Sequence, residues 1–180
     1  MYRQACILPA AFVATFAFAQ NFTLRSKDLG GQANMQQVYN GFGCTGGNLS
    51  PELSWTDAPE GTKSFAVTLF DPDAPTGSGW WHWIVFDLPA AVHELATGAG
   101  SQDGKGLPAG VVQAVTDFGV PGYGGPCPPV GHGPHRYILT VYALAVDKLG
   151  LGTTAQPALV SATLNRLSLA RASIIFHYQR

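Results

Sequence analysis

Asp71 and Asp73 stand between prolines in DPDAP (71–75), and shortly afterwards WWHW (80–83) sets His82 among Trp80, Trp81 and Trp83. Proline fixes φ, so the two carboxylates are held in place. Tryptophan neighbours make the surroundings partly dry, where a carboxylate or an imidazole is costly unless something binds it. A third stretch, YGGPCPPVGHGPHRY (123–137), exposes backbone N–H groups at its glycines, stiffens at its prolines and ends in His135 and Tyr137. Imidazoles, a phenol and amide N–H groups are donors, and donors aimed at one point in a dry cleft suit an oxyanion, above all phosphate. A bare Asp71 carboxylate would repel such a guest. Its expected place is beside a histidine that it orients, or beside a ligand ammonium. A site with both signs suits a phosphoryl-amine head group.

Other readings of these residues stay open. His132 and His135 form H-x-x-H, which with Asp71 resembles a metal-ligand set, but on a glycine–proline loop the spacing is weak and no metal is expected. His93 and His177 have no supporting context. Cys127 with His135 is a nucleophile pair only in a reducing compartment. A hydrolase working through Asp71, His82 and His135 is the alternative to binding. The chain has no G-x-S-x-G elbow, no phosphate-binding glycine loop opening a helix and no H-E-x-x-H. Binding without catalysis, with no cofactor, is therefore the expectation. Strand alternation sends Arg136 to the face opposite His135 and Tyr137, where Asp73 is its expected partner.

For three separate segments to meet, strands must carry them to one place. SFAVTLFD (64–71), WHWIVFDLP (81–89) and RYILTVYALAVD (136–147) are apolar, branched and aromatic, as buried strands are. Asp71 ends the first, while His82 and His135 begin the others, so neighbouring strands would bring all three to one edge of a sheet. QVYN (37–40), PELSW (51–55) and SIIFHYQ (173–179) read as further strands. From Pro157 to Arg171, Val160, Leu164 and Leu167 recur at helical spacing behind a proline suited to a first turn, which predicts one helix covering a sheet. The Gly- and Pro-rich stretch 98–134 is long for a connection and is expected to carry function. The 22 glycines and 13 prolines suit a β-rich fold with long ordered loops.

Charged residues make up only 12% of the 180, with a net charge of −1, so nothing marks a nucleic-acid partner. Residues 1–19 have a positive charge at Arg3, an apolar run and Ala17-Phe18-Ala19 before Gln20, which predicts a secretory signal peptide followed by one domain over 20–180. A secreted or periplasmic location follows, with no stable membrane span after cleavage. Cys6 leaves with the signal, and Cys44 and Cys127 remain as an even pair in an oxidising compartment. A bridge between them is the expectation, with two buried thiols as the other possibility. The Asn-x-Ser/Thr triplets at Asn21 and Asn48 read as chance occurrences.

Taken together, DPDAP, WHW and GPHRY resemble the phosphatidylethanolamine-binding proteins, and GFGCTGGNLSPELSW, DPDAPTGSGWWHW and YGGPCPPVGHGPHRY are similar to the bacterial Raf-kinase-inhibitor-like branch. These motifs occur in one order from about Asn21 to the C-terminus. The resemblance implies a mainly β fold: a sandwich-like core of largely antiparallel strands with one or a few peripheral helices. It implies a small anion-binding pocket that accepts phosphate, acetate, a phospholipid head group or a phosphorylated residue of a protein partner. Carried over by position, Asp71 is the pocket acid, His82 and His135 its histidines, Tyr137 its tyrosine and Trp80 its wall. Pro75 closes the acidic turn, and Gly125, Cys127 and Pro128 belong to the rim. Cys127, where animal members usually carry glycine, and a shorter loop between Pro75 and Trp80 set this chain apart from them and put transfer of kinase-binding surfaces in doubt, while a kinase-inhibitor-like or regulatory module that holds a protein partner through the pocket stays open.

Overall fold

A computed structural model describes residues 21–180. The signal-peptide reading of 1–19 and Cys6 lie outside the described residues. The elements run β1 (Thr23–Arg25), β2 (Asn40–Gly41), β3 (Cys44–Thr45), β4 (Leu53–Thr56), β5 (Ser64–Asp71), β6 (Trp80–Pro89), β7 (Glu94–Leu95), β8 (Val112–Gln113), β9 (His135–Leu144), α1 (Pro157–Leu167) and β10 (Ser168–Tyr178). Five strands form one antiparallel sheet in the order β10-β9-β5-β6-β8. Three short ones form a second, β1-β4-β7, and β2-β3 is a separate hairpin.

The unbroken apolar run of β5 has a direct cause: both faces of the large sheet are covered. Phe65, Val67 and Leu69 point into a core shared with Trp83, Val85, Leu139 and Val141 and roofed by Leu24, Leu53 and Trp55 of the small sheet. Ala66 points the other way, into a second core with Ile84, Phe86, Tyr142 and Leu144 under Val160 and Leu164 of α1. Among the described residues the fold is therefore mainly β with one helix, and its sandwich is lopsided, because the second layer is only three short strands.

Two differences from the sequence pattern have clear physical reasons. The helix ends at Leu167 rather than at Arg171, because residues from Ser168 onward pair with β9, beginning at Ser168↔Leu144. Long-range pairing overrides a helical stripe whose last members are only weakly buried. The strand expected at 37–40 is mostly a turn: Gln37 and Val38 N–H both donate to Asn34 O, and only Asn40–Gly41 pairs in a ladder.

Strand β6 departs from regular pairing at both of its ends. Asp87 has φ 64°, and the register steps from Phe65↔Leu88 to Val67↔Val85. This bulge returns Leu88 to the face of Val85. At the other end the register steps from Leu69↔Trp83 to Phe70↔Trp81, leaving His82 without a partner on β5.

Candidate functional site: a cavity at the end of β5

Antiparallel pairing puts the C-terminal end of β5 beside the N-terminal ends of β6 and β9. Asp71, Trp80, His82, His135 and Tyr137 thus arrive at one end of the large sheet, around a cavity of about 210 Å³. Tyr137 lies between the imidazoles, with its ring centroid 5.2 Å from that of His82 and 6.5 Å from that of His135.

His82 reaches this place because it is the bulged residue. One extra residue in a strand bends it and re-aims side chains. Here the bulge lets His82 join Asp71 and Tyr137, while Trp83 turns back into the core and Trp81 packs on Phe70 on the opposite face. Lacking a β5 partner, His82 is held by Gly124 instead. Gly124 N–H donates to His82 O at 2.8 Å, and the His82 ring donates from Nδ1 to Gly124 O at 2.7 Å. Burial pushes the His82 imidazole down from 6.5 to about 4, against the opposing pull of the Gly124 carbonyl and the Asp71 charge. It is neutral at physiological pH.

His135 is held differently. Its Nδ1 donates to Asp71 Oδ2 at 2.8 Å, with both side chains buried. The other Asp71 oxygen accepts Asp73 N–H at 2.8 Å, a short local bond made within the proline-bounded turn. Both carboxylate oxygens are thereby engaged. Tyr137 Oη is buried with no hydrogen-bond partner among the described residues. Burial, with the nearby Asp71 charge, holds its pKa above the ordinary phenol value.

The rest of the lining is largely apolar: Pro75, Trp80, Phe42, Phe118, Cys127, Pro128 and Pro129. Cys127 is bonded to Cys44 with Cα atoms 6.1 Å apart, which ties the β2-β3 hairpin and its turn residue Phe42 to the proline rim. Arg180 reinforces this tie, donating from Nε to Pro128 O at 2.6 Å and from Nη2 to Phe42 O at 3.2 Å.

One residue named from sequence falls outside the cavity. Gly125 does not line it; it lies behind the wall, where its N–H donates to Asn48 Oδ1 and an added β-carbon would meet Gln37 O at 1.9 Å. Arg136 is directed away from the cavity to Asp73, with contacts of 2.6 and 2.9 Å from its guanidinium and 2.8 Å from its N–H. That contact holds the Asp73 carboxyl at about 2. His132 is exposed near His135, and His93 and His177 lie at the surface.

Phe42 and Phe118 escaped the sequence reading. Phe118 is placed by its neighbour Asp117, which takes Trp81 N–H on Oδ2 at 2.6 Å and returns its own N–H to Trp81 O. That exchange imitates a strand pair and brings the Phe118 ring 5.3 Å from His82 and 5.5 Å from Trp80. No local pattern announces it.

Comparison with known proteins gives these features a context. YbcL of Escherichia coli K12 is 48% identical over 171 residues, 94% of this chain and 93% of YbcL. YbhB of the same organism is 50% identical over 153 residues, 84% of this chain and 96% of YbhB. LppC of Mycobacterium tuberculosis, named a lipoprotein, is 40% identical over 105 residues, 58% of this chain and 48% of LppC. The crystal structure of E. coli YbcL, described as a new member of the mammalian PEBP family, aligns with a TM-score of 0.87 and 49% identity, covering 88% of this chain and 98% of that one. The phosphatidylethanolamine-binding protein family profile matches residues 25–179, which include every strand from β4 onward and the whole cavity lining. A match of that extent, on a shared fold, places the chain in the phosphatidylethanolamine-binding protein family.

Proposed function

We propose that this protein binds a small oxyanion, above all a phosphoryl group, in the cavity at the end of β5, and does so without turning it over. The observation that carries this reading is the meeting of Asp71, His82, His135 and Tyr137 around one small cavity whose other walls are mostly apolar. A few convergent polar groups in an apolar pocket are the usual form of a small-molecule site. The orphaned Tyr137 hydroxyl supports it further, since a buried hydroxyl without a partner costs free energy that a ligand would recover. A phospholipid head group, free phosphate or a phosphorylated partner protein would each bring a phosphoryl group, the first as a diester and the other two with at least three free oxygens.

One observation favours a second reading. The Asp71–His135 pair has the arrangement of a general base held by its orienting carboxylate, as in a hydrolase. Against it, the Cys127 sulfur beside the pair is committed to the disulfide and offers no nucleophile. Calorimetric titration with phosphate and phosphorylethanolamine, on the parent and His135→Ala, separates the two. Stoichiometric binding lost in the variant, with no phosphoester consumed, supports the binding reading. Turnover abolished by the same substitution replaces it with the hydrolase, and absence of heat from both ligands removes the anion site.

We place the mature domain, 20–180, outside the cytoplasm, secreted or periplasmic, after removal of residues 1–19. The Cys44–Cys127 bond supports this, as does kinship with a protein named a lipoprotein. N-terminal sequencing of the protein recovered from a producing cell tests it. A mature chain beginning at Met1 would contradict it.

A further inference from the structure

The proton inventory of the cavity narrows the anion it takes, on the footing of the proposed anion binding. Gly124 O has lone pairs only, so Nδ1 of His82 must carry hydrogen, and the same holds for Nδ1 of His135 against the Asp71 carboxylate. A neutral imidazole has one N–H. Each ring therefore presents Nε2 as a bare lone pair, and neither Nε2 has a hydrogen-bond partner among the described residues. Among the described residues no lysine or arginine lines the cavity, and Arg136 is committed to Asp73. Before any further proton arrives, the four polar side chains Asp71, His82, His135 and Tyr137 offer two bare Nε2 acceptors and one free donor, the Tyr137 hydroxyl.

An anion needs more donors than that, and the two histidines differ in how they can supply one. His135 has a buried carboxylate, Asp71, as counter-charge for a second proton, with His132 (5.7 Å between rings), Tyr137 and Asp73 as its other titratable neighbours. His82 faces a neutral carbonyl, Phe118 and Tyr137, and feels charge only from Asp71 and His135. His135 thus has a counter-charge beside its ring and His82 has none. Asp71 already places one negative charge in this buried corner. A second negative charge on the guest would be buried with no counter-charge, which is costly.

We propose that His82 selects an anion that still carries a proton, namely the monoanion of phosphate or of a phosphate monoester. Its P–OH donates to His82 Nε2 while its charged oxygens accept from His135 and Tyr137. Sulfate has the same shape and no proton to give, and a phosphodiester has neither the hydroxyl nor the free third oxygen. A site built to bond a hydroxyl rejects analogues that lack it.

The test is calorimetry with the mature protein and four probes: inorganic phosphate, phosphorylethanolamine, sulfate and glycerophosphorylethanolamine. The first two are expected to bind at least about tenfold more tightly than the last two near neutral pH. Between about pH 6 and pH 8 the monoanion fraction of a monoester falls roughly fiftyfold, and affinity for phosphorylethanolamine should fall with it. His82→Gln, whose amide offers a donor as well as an acceptor, should narrow the preference for phosphate over sulfate. Its fold is checked by near-ultraviolet circular dichroism. Sulfate and the diester bound as tightly as phosphate overturn the inference and leave the anion site standing. No binding of any probe overturns the anion site, and the inference with it.

Discussion

His135 Nδ1 lies 2.8 Å from Asp71 Oδ2, joining the start of β9 to the end of β5 across 64 residues of sequence. The bond fixes the tautomer, so that Nε2, and not Nδ1, is the ring nitrogen left for the cavity. Asp71→Asn keeps the shape and removes the charge. A charge-assisted hydrogen bond contributes about 1.5–3 kcal/mol, so phosphate affinity in Asp71→Asn should drop by roughly one to two orders of magnitude. Unchanged affinity by calorimetry would mean that Asp71 plays no part in orienting His135.

Stability should depend on pH through His82. Its folded value, about 4, lies below the ordinary 6.5 because the ring is buried, so between these values the unfolded chain binds the extra proton. The contribution of His82 is complete above 6.5 and is lost as pH falls from there through about 4, at up to about 1.4 kcal/mol per pH unit. His82→Gln keeps an amide N–H for Gly124 O and should flatten that slope. Urea unfolding of both proteins across the range measures it, and identical slopes would exclude His82 as the source.

The Cys44–Cys127 bond closes a separation of 83 residues. In the chain-entropy account, opening a loop of this length costs roughly 4–5 kcal/mol. Reduction should also loosen the Phe42 turn from the Pro128 rim, leaving Arg180 to hold both, and so weaken phosphate binding. Denaturation and titration with and without a dithiol reductant, alongside the Cys44→Ser/Cys127→Ser double variant, check both effects. Affinity unmoved by reduction would separate the disulfide from the pocket.

At Gly124 there is no room for a side chain: an added β-carbon would sit 2.3 Å from Phe118 Cε2. Gly124→Ala should displace the Phe118 ring, loosen the two hydrogen bonds to His82, and destabilise the fold by about 1–3 kcal/mol through overpacking. Trp80, whose ring centroid is 5.5 Å from that of Phe118, provides a fluorescence probe close to the change. A wild-type unfolding midpoint would contradict the crowding.

Asp73 was legible as the partner of Arg136 because alternation along a strand assigns a face to every residue, and β9 is regular there. Where regularity fails, so does that reasoning. Strict alternation keeps Trp81 and Trp83 on one face, but the bulge at His82 sends Trp81 to Phe70 and Trp83 into the main core. Gly125, expected at the rim, does not line the cavity: it packs against residues 37–39, next to Gly124, which holds His82. The histidines, too, were expected as two donors. Only their hydrogen-bond partners show that each ring commits its Nδ1–H and leaves Nε2 for the cavity.

The sequence by itself determined three of the four long strands, β5, β6 and β9, the helix start at Pro157 and the gathering of acid, imidazole and phenol at strand ends. These are consequences of hydrophobic periodicity and of backbone stiffness at proline, which act over a few residues. Only the tertiary structure decided where α1 stops, which glycine backs His82, that Phe42 and Phe118 wall the cavity, and which imidazole nitrogen carries hydrogen. Each of those depends on a contact between segments far apart in the chain, such as Ser168 with Leu144 or Asp117 with Trp81. Short-range pattern has no access to such a contact, because its energy exists only once the two segments have been brought together.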